Sequence, residues 1–133
     1  MRFTLLIQSS PHSHQSAATA LRFCREVLRQ GHQVHRVFFY GDAVLTASHF
    51  NAPAVDELQL LQEWQALQQA HDLDLVVCIA AAVRRGVLNA HEAKRYEKTG
   101  HNLAEGFELS GLGQLAEAIA CSDRVVRFGG SHG

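Results

Sequence analysis

Apolar positions along the chain follow two alternating rhythms. Phe3–Ile7, Val34–Tyr40 and Leu73–Ile79 are short runs dense in apolar, β-branched and aromatic residues, the pattern of strands buried on both faces. Between them the spacing becomes helical. Ala17, Ala20, Leu21, Cys24, Val27 and Leu28 share one face of a helix over Gln15–Gln30, with Gly31 at the C-terminal cap position. Asp56 opens a second helix, with Leu58, Leu61, Trp64 and Leu67 on one side and glutamines opposite. In the less regular stretch Gly41–Val55, Asp42 is placed to cap a short helix through Phe50, and Pro53 breaks what precedes it. Asn89 with Glu92 reads as a capping box for a helix ending near Gly100. Phe107–Ser110 reads as a strand, Gly111–Cys121 as an amphipathic helix and Arg124–Phe128 as a last strand, before a flexible tail at Gly129–Gly133.

Strands alternating with helices form βαβ units, so the pattern predicts an α/β fold. It is a single three-layer domain over residues 1–128, with a mainly parallel sheet and helices on both faces. Right-handed crossovers leave few topologies, and a flavodoxin-like strand order is the most economical. In such sheets chemistry gathers beyond the carboxyl ends of the strands. The polar loop Gln8–His14 and the end of the Leu73–Ile79 strand, which carries Cys78, are expected to meet there.

Charge then narrows the function. Twelve Lys and Arg against thirteen Asp and Glu leave a formal net charge of −1, without the basic surplus that nucleic-acid binding requires. No apolar run approaches the roughly 18 residues that span a bilayer. The start, Met1–Ile7, lacks the length and cleavage site of a signal peptide and reads as a first strand. Three cysteines without a CxxC spacing form neither a disulfide framework nor a cysteine zinc site, and a reduced, cytoplasmic setting is expected.

Cys78 is the leading chemical candidate. It sits at a strand end just before Ala80-Ala81-Ala82, where the unpaired N–H groups of a new helix favour thiolate, and Arg84 and Arg85 follow within two turns. A buried free cysteine is also an ordinary small core residue, and Cys24, on the apolar stripe of its helix, reads that way. Cys121 lies off the Leu112–Leu115–Ile119 stripe with Arg124 as its one basic neighbour, and reads as incidental. His12 and His14 are placed to clamp a metal, but with no carboxylate or cysteine beside them a solvated loop is the simpler reading. The remaining histidines, of nine in all, show no ligand spacing. Gly111-x-Gly113-x-x-Ala116 matches a dinucleotide fingerprint, yet the chain ends before the confirming acidic residue, and a tight turn with close backbone packing explains both glycines. A phosphate site at Ser9, Ser10 and Ser13 rests on fold analogy alone.

Four segments together carry a resemblance that spans nearly the whole chain. Val37-Phe-Phe-Tyr40, Val76-Val-Cys-Ile-Ala-Ala-Ala-Val-Arg-Arg-Gly86, Leu109-Ser-Gly-Leu-Gly-Gln-Leu-Ala-Glu117 and Asp123-Arg-Val-Val-Arg-Phe128 are similar to the DsrE/TusD family of intracellular sulfur-relay proteins. The resemblance implies that Cys78 accepts sulfane sulfur as a persulfide. The implied donor is a TusA-type carrier and the implied acceptor a TusE/DsrC-type carrier. TusB- and TusC-like sister subunits are implied as partners in a heterohexamer. In one branch the relay ends at the thiouridylase MnmA, which makes 2-thiouridine at the tRNA wobble position. In the other, a DsrE-type subunit serves cytoplasmic sulfur oxidation. The tRNA branch is preferred as the more widespread.

The residues are compatible with that chemistry. Persulfide transfer needs one thiolate that attacks a terminal sulfur and then yields it to the next thiolate, with no metal, flavin or nucleotide. Arg84 and Arg85 would stabilise the anion or dock partners. Direct contact with nucleic acid or membrane is not expected. The competing readings are a non-catalytic scaffold subunit of such an assembly and a flavodoxin-like binding module.

Overall fold

The structure, a computed structural model, describes residues 1–12 and 15–130. Its strands are β1 (Arg2–Ile7), β2 (Gln33–Phe39), β3 (Leu75–Cys78), β4 (Phe107–Ser110) and β5 (Arg124–Phe128). They form one parallel sheet in the order β4-β3-β2-β1-β5. The helices are α1 (Gln15–Arg29), α2 (Leu60–His71), α3 (Ile79–Arg84), α4 (Ala90–Arg95) and α5 (Gly113–Cys121), with a 3-10 helix at Gly41–Ala47.

The three-layer α/β architecture is the one the apolar rhythm predicts. Its strand order, however, differs from the flavodoxin-like one, which would leave β2 at an edge. The reason is composition. Val37, Phe38 and Phe39 of β2 are fully buried, so this strand belongs in the interior of the sheet. The edges go instead to β4, with exposed Glu108, and to β5, with exposed Arg124 and Arg127. Charged side chains on edge strands also discourage pairing with other chains.

Alternation along each strand sorts the layers. Phe3 packs edge-on against Phe23 of α1, and Phe39 meets both Trp64 of α2 and Phe107 of β4. The opposite face belongs to α5: Thr4 hydrogen-bonds Ser122 just past that helix, and Arg36 bonds the Gln114 carbonyl within it. No helix among the described residues is long and apolar enough to cross a membrane.

Several local elements differ from the sequence expectation. Leu60, not Asp56, begins α2. Residues 51–59 form a loop in which Glu57 N–H bonds the Ala54 carbonyl and Gln59 donates to the Ala54 and Glu57 carbonyls. Leu58 is consequently exposed on that loop. Asp42 does not cap a helix through Phe50. Tyr40 takes the cap position, the helix stops at Ala47, and the Asp42 carboxylate is taken by Arg85. The Asn89 cap forms as expected, its side chain accepting from Glu92 N–H at 2.8 Å, but α4 ends at Arg95, followed by Glu97 at φ 57°. Gly129 adopts φ +82° against Ser9, where any side chain would collide. The end of the tail, residues 131–133, lies outside the described residues.

Candidate functional site

The crossovers β1→β2→β3→β4 step one way across the sheet, and the last one, through α5, steps back past β1 to β5. The switch in strand order therefore lies between β1 and β5, while the carboxyl rim of the sheet, where open α/β folds gather their ligands, also includes the ends of β3 and β4. Cys78 is the last residue of β3, paired in register with Ser110, the last of β4. It is also the N-cap of α3, with φ −61°, ψ 117° and no hydrogen bond from its side chain to the helix. The local sequence explains this junction. Leu75-Val76-Val77 is wholly buried strand, and the following alanines let α3 approach the 3-10 helix closely, with Ala81 and Ala82 buried between them.

Cys78 is only 3% exposed, yet it borders an open cleft of about 400 Å³ formed with Tyr40, Ile79, Arg84, Arg85, Gly111 and Leu112. The two arginines differ. Arg85 Nε bonds Asp42 at 2.8 Å and its Nη1 bonds the Ala81 carbonyl at 3.2 Å, so it braces α3 against the 3-10 helix. Arg84 is exposed and makes no ion pair among the described residues, so its charge is available to an incoming anion. The cleft lining contains one thiol and neither histidine nor carboxylate, so it lacks a metal-ligand set.

The other sequence candidates fall elsewhere. Cys24 is buried beneath α1, and burial pushes its thiol up to about 12, against the opposing pull of Arg25. Cys121 is exposed at the opposite end of the sheet, where Arg2 bonds its carbonyl at 3.2 Å. His12 lines a small cavity of about 50 Å³ with Thr46, Asn51 and Leu60, and its partner in the suggested clamp, His14, lies outside the described residues. Ser13 does too. Ser9 is buried and hydrogen-bonded to Ser16, and Ser10 accepts from His12 N–H, so both hydroxyls are engaged within their own segment.

Gly111 and Gly113 correct the expectation of a tight turn with close packing. Neither has a positive φ, and a Cβ at either would meet nothing within 4 Å. Gly111 instead keeps one wall of the Cys78 cleft low.

Sequence reading missed Asp42 as the partner of Arg85, and it missed Asn102. That buried side chain accepts from Leu88 N–H at 2.9 Å and donates to Ser48 at 2.8 Å. It ties the long excursion between Cys78 and β4 to the segment that follows the 3-10 helix. No local spacing signals either pair, because each joins residues remote in sequence.

The DsrE/DsrF-like family model matches residues 1–128. The chain is 49% identical over 128 residues to a sulfurtransferase TusD of Erwinia tasmaniensis, covering 96% of this chain and all of that one. It is 50% identical over 130 residues to a sulfurtransferase TusD homolog of Pseudomonas aeruginosa, covering 98% of each. Among solved structures it resembles the ychN protein of Escherichia coli, with a TM-score of 0.77 and 19% identity over 96% of this chain and 99% of the other, a likeness of fold. With a match from the first strand to the last and relatives of equal length at nearly half identity, the chain belongs to the DsrE/DsrF-like family.

Proposed function

We propose that the protein is a sulfur-relay sulfurtransferase in which Cys78 carries the sulfur as a persulfide. The observation that carries this reading is that Cys78 ends β3, caps α3 and borders an open cleft together with Arg84, which makes no ion pair among the described residues. The transferase role is supported by relatives named sulfurtransferase TusD at 44–50% identity over nearly the full length.

The transfer runs in two balanced steps. The Cys78 thiolate attacks the terminal sulfane sulfur of a donor persulfide. A bond forms between Cys78 Sγ and that sulfur, the donor's S–S bond breaks, and the donor leaves as a thiolate. An acceptor thiolate then attacks the terminal sulfur on Cys78, regenerating the Cys78 thiolate. Neither step changes the net oxidation state, so no cofactor is required. Arg84 lines the same cleft as Cys78, so its charge is on hand for the anion present before, between and after these steps. Because Cys78 is nearly enclosed, the donor and acceptor must present their sulfur on a projecting segment that enters the cleft. A TusA-type carrier is the donor in this reading and a TusE/DsrC-type carrier the acceptor. TusB- and TusC-like sister subunits complete a cytoplasmic assembly that supplies 2-thiouridine synthesis, and the tRNA itself is handled downstream. The TusD names of the relatives favour this branch over sulfur oxidation.

Intact-protein mass spectrometry after incubation with a persulfide-loaded TusA-type carrier tests the reading. The wild type gains one sulfur atom and gives it up to a TusE-type thiol, while Cys78→Ser gains none. Equal loading of both proteins would move the acceptor to Cys24 or Cys121. Loading of neither, with both folded, would make the chain a scaffold subunit.

A further inference from the structure

We propose that His35, Glu117 and Cys121 bind one divalent cation of the zinc type on the α5 face, at the far end of the sheet from Cys78. One ligand atom from each of these residues lies within 4.8 Å of the other two. The site is independent of the relay chemistry and stands whether or not Cys78 carries sulfur.

Two features of the fold build it. Glu117 and Cys121 are four residues apart on α5, so they share one helix face. His35 is delivered by a register shift in the sheet: Phe3 pairs with Val34 and Thr4 pairs with Arg36, leaving His35 as the extra residue of a bulge in β2. In a regular strand His35 and Arg36 would point to opposite faces. Here both reach the same carboxylate, each at 2.8 Å from Glu117 Oε1. Bulges between parallel strands are rare, and re-aiming a side chain is one of their recurrent uses.

The chemistry of the donors fits a borderline metal. Imidazole, thiolate and carboxylate are the usual zinc donors at roughly 2.0–2.3 Å, so ligand atoms around a tetrahedral ion sit about 3–4 Å apart. Reaching that spacing takes a rotation of Glu117, which is 47% exposed, and of the exposed Cys121. Arg36 is shared between Asp74 and Glu117, at 2.8 Å from each, so one guanidinium serves two carboxylates and Glu117 keeps an oxygen to turn toward the ion. Binding releases the thiol proton to water, replaces the His35–Glu117 hydrogen bond and leaves a fourth position for a water molecule.

Cobalt(II) titration of the metal-free full chain tests the proposal, read by the thiolate-to-cobalt charge-transfer absorption and by its loss on adding Zn²⁺. Wild type and Cys78→Ser both saturate at one cobalt per chain, Cys121→Ser shows no charge-transfer band, and His35→Gln raises Kd at least tenfold. Glu117→Gln does the same. Because Glu117 also holds Arg36, His35→Gln serves as the ligand test that leaves the Arg36–Glu117 pair intact. Absence of the band in wild type, its survival in Cys121→Ser, or its loss in Cys78→Ser overturns the assignment.

Discussion

Burial strips the Cys24 thiolate of its hydration, which is why the thiol rises from an ordinary value of 9.0 to about 12. The sign of the linkage follows. Between those values the unfolded chain has lost the proton and the folded chain still holds it, so stability is complete below pH 9 and falls as pH rises through the window. Urea midpoints measured from pH 7 to pH 10.5 are expected to drop for wild type, and to drop less for Cys24→Ala, even though the variant starts about 1 kcal/mol lower from lost packing. The three thiols also separate kinetically. With a small alkylating reagent and peptide mapping over time, Cys121 is expected to react first, Cys78 more slowly because it is 3% exposed, and Cys24 only on unfolding. Cys78 reacting as fast as Cys121 would show that the cleft opens far more widely than its enclosed thiol implies.

The segment between Cys78 and β4 has little regular structure to hold it, since α3 and α4 are each a turn or two long. Polar side chains do that work. Asn89 caps α4, and Asn102 satisfies the Leu88 N–H and the Ser48 hydroxyl in a buried site. Removing the Asn102 side chain leaves a buried N–H without a partner, which costs about 1–3 kcal/mol. Asn102→Ala is therefore expected to lower thermal stability by about 2 kcal/mol, seen as a drop of several degrees in Tm. Asn89→Ala, which removes a helix cap, should cost about 1 kcal/mol. Equal losses for the two would mean that the Asn102 site refills with water and is not a rigid tie. The bulge in β2 is the counterpart on the other face, a local irregularity that brings His35 and Arg36 to one carboxylate of α5.

The cleft exists because the ends of β2, β3 and β4 converge, and its two arginines divide the labour there. Arg85 and Asp42 join elements 43 residues apart, whereas Arg84 is left for a ligand. Arg85→Gln is expected to lower Tm by a few degrees, an effect of no more than about 1 kcal/mol because the pair is partly exposed. Arg84→Gln should leave Tm unchanged and slow sulfur loading of Cys78 severalfold. A reversal of these outcomes would exchange their roles. Much of this protein was legible in the chain alone. The apolar rhythm specifies strands and helices because side chains two residues apart share a strand face and those four apart share a helix face. That local rule also placed Cys78 at a strand–helix junction, and the boundaries Phe107–Ser110 and Arg124–Phe128 follow from it. Local periodicity carries no information about which strands lie side by side or which distant side chains meet. The order β4-β3-β2-β1-β5, the Asp42–Arg85 and Asn102–Leu88 ties, and the meeting of His35 with Glu117 across 82 residues arise only when the whole chain buries its apolar strands and leaves its charged ones at the edges.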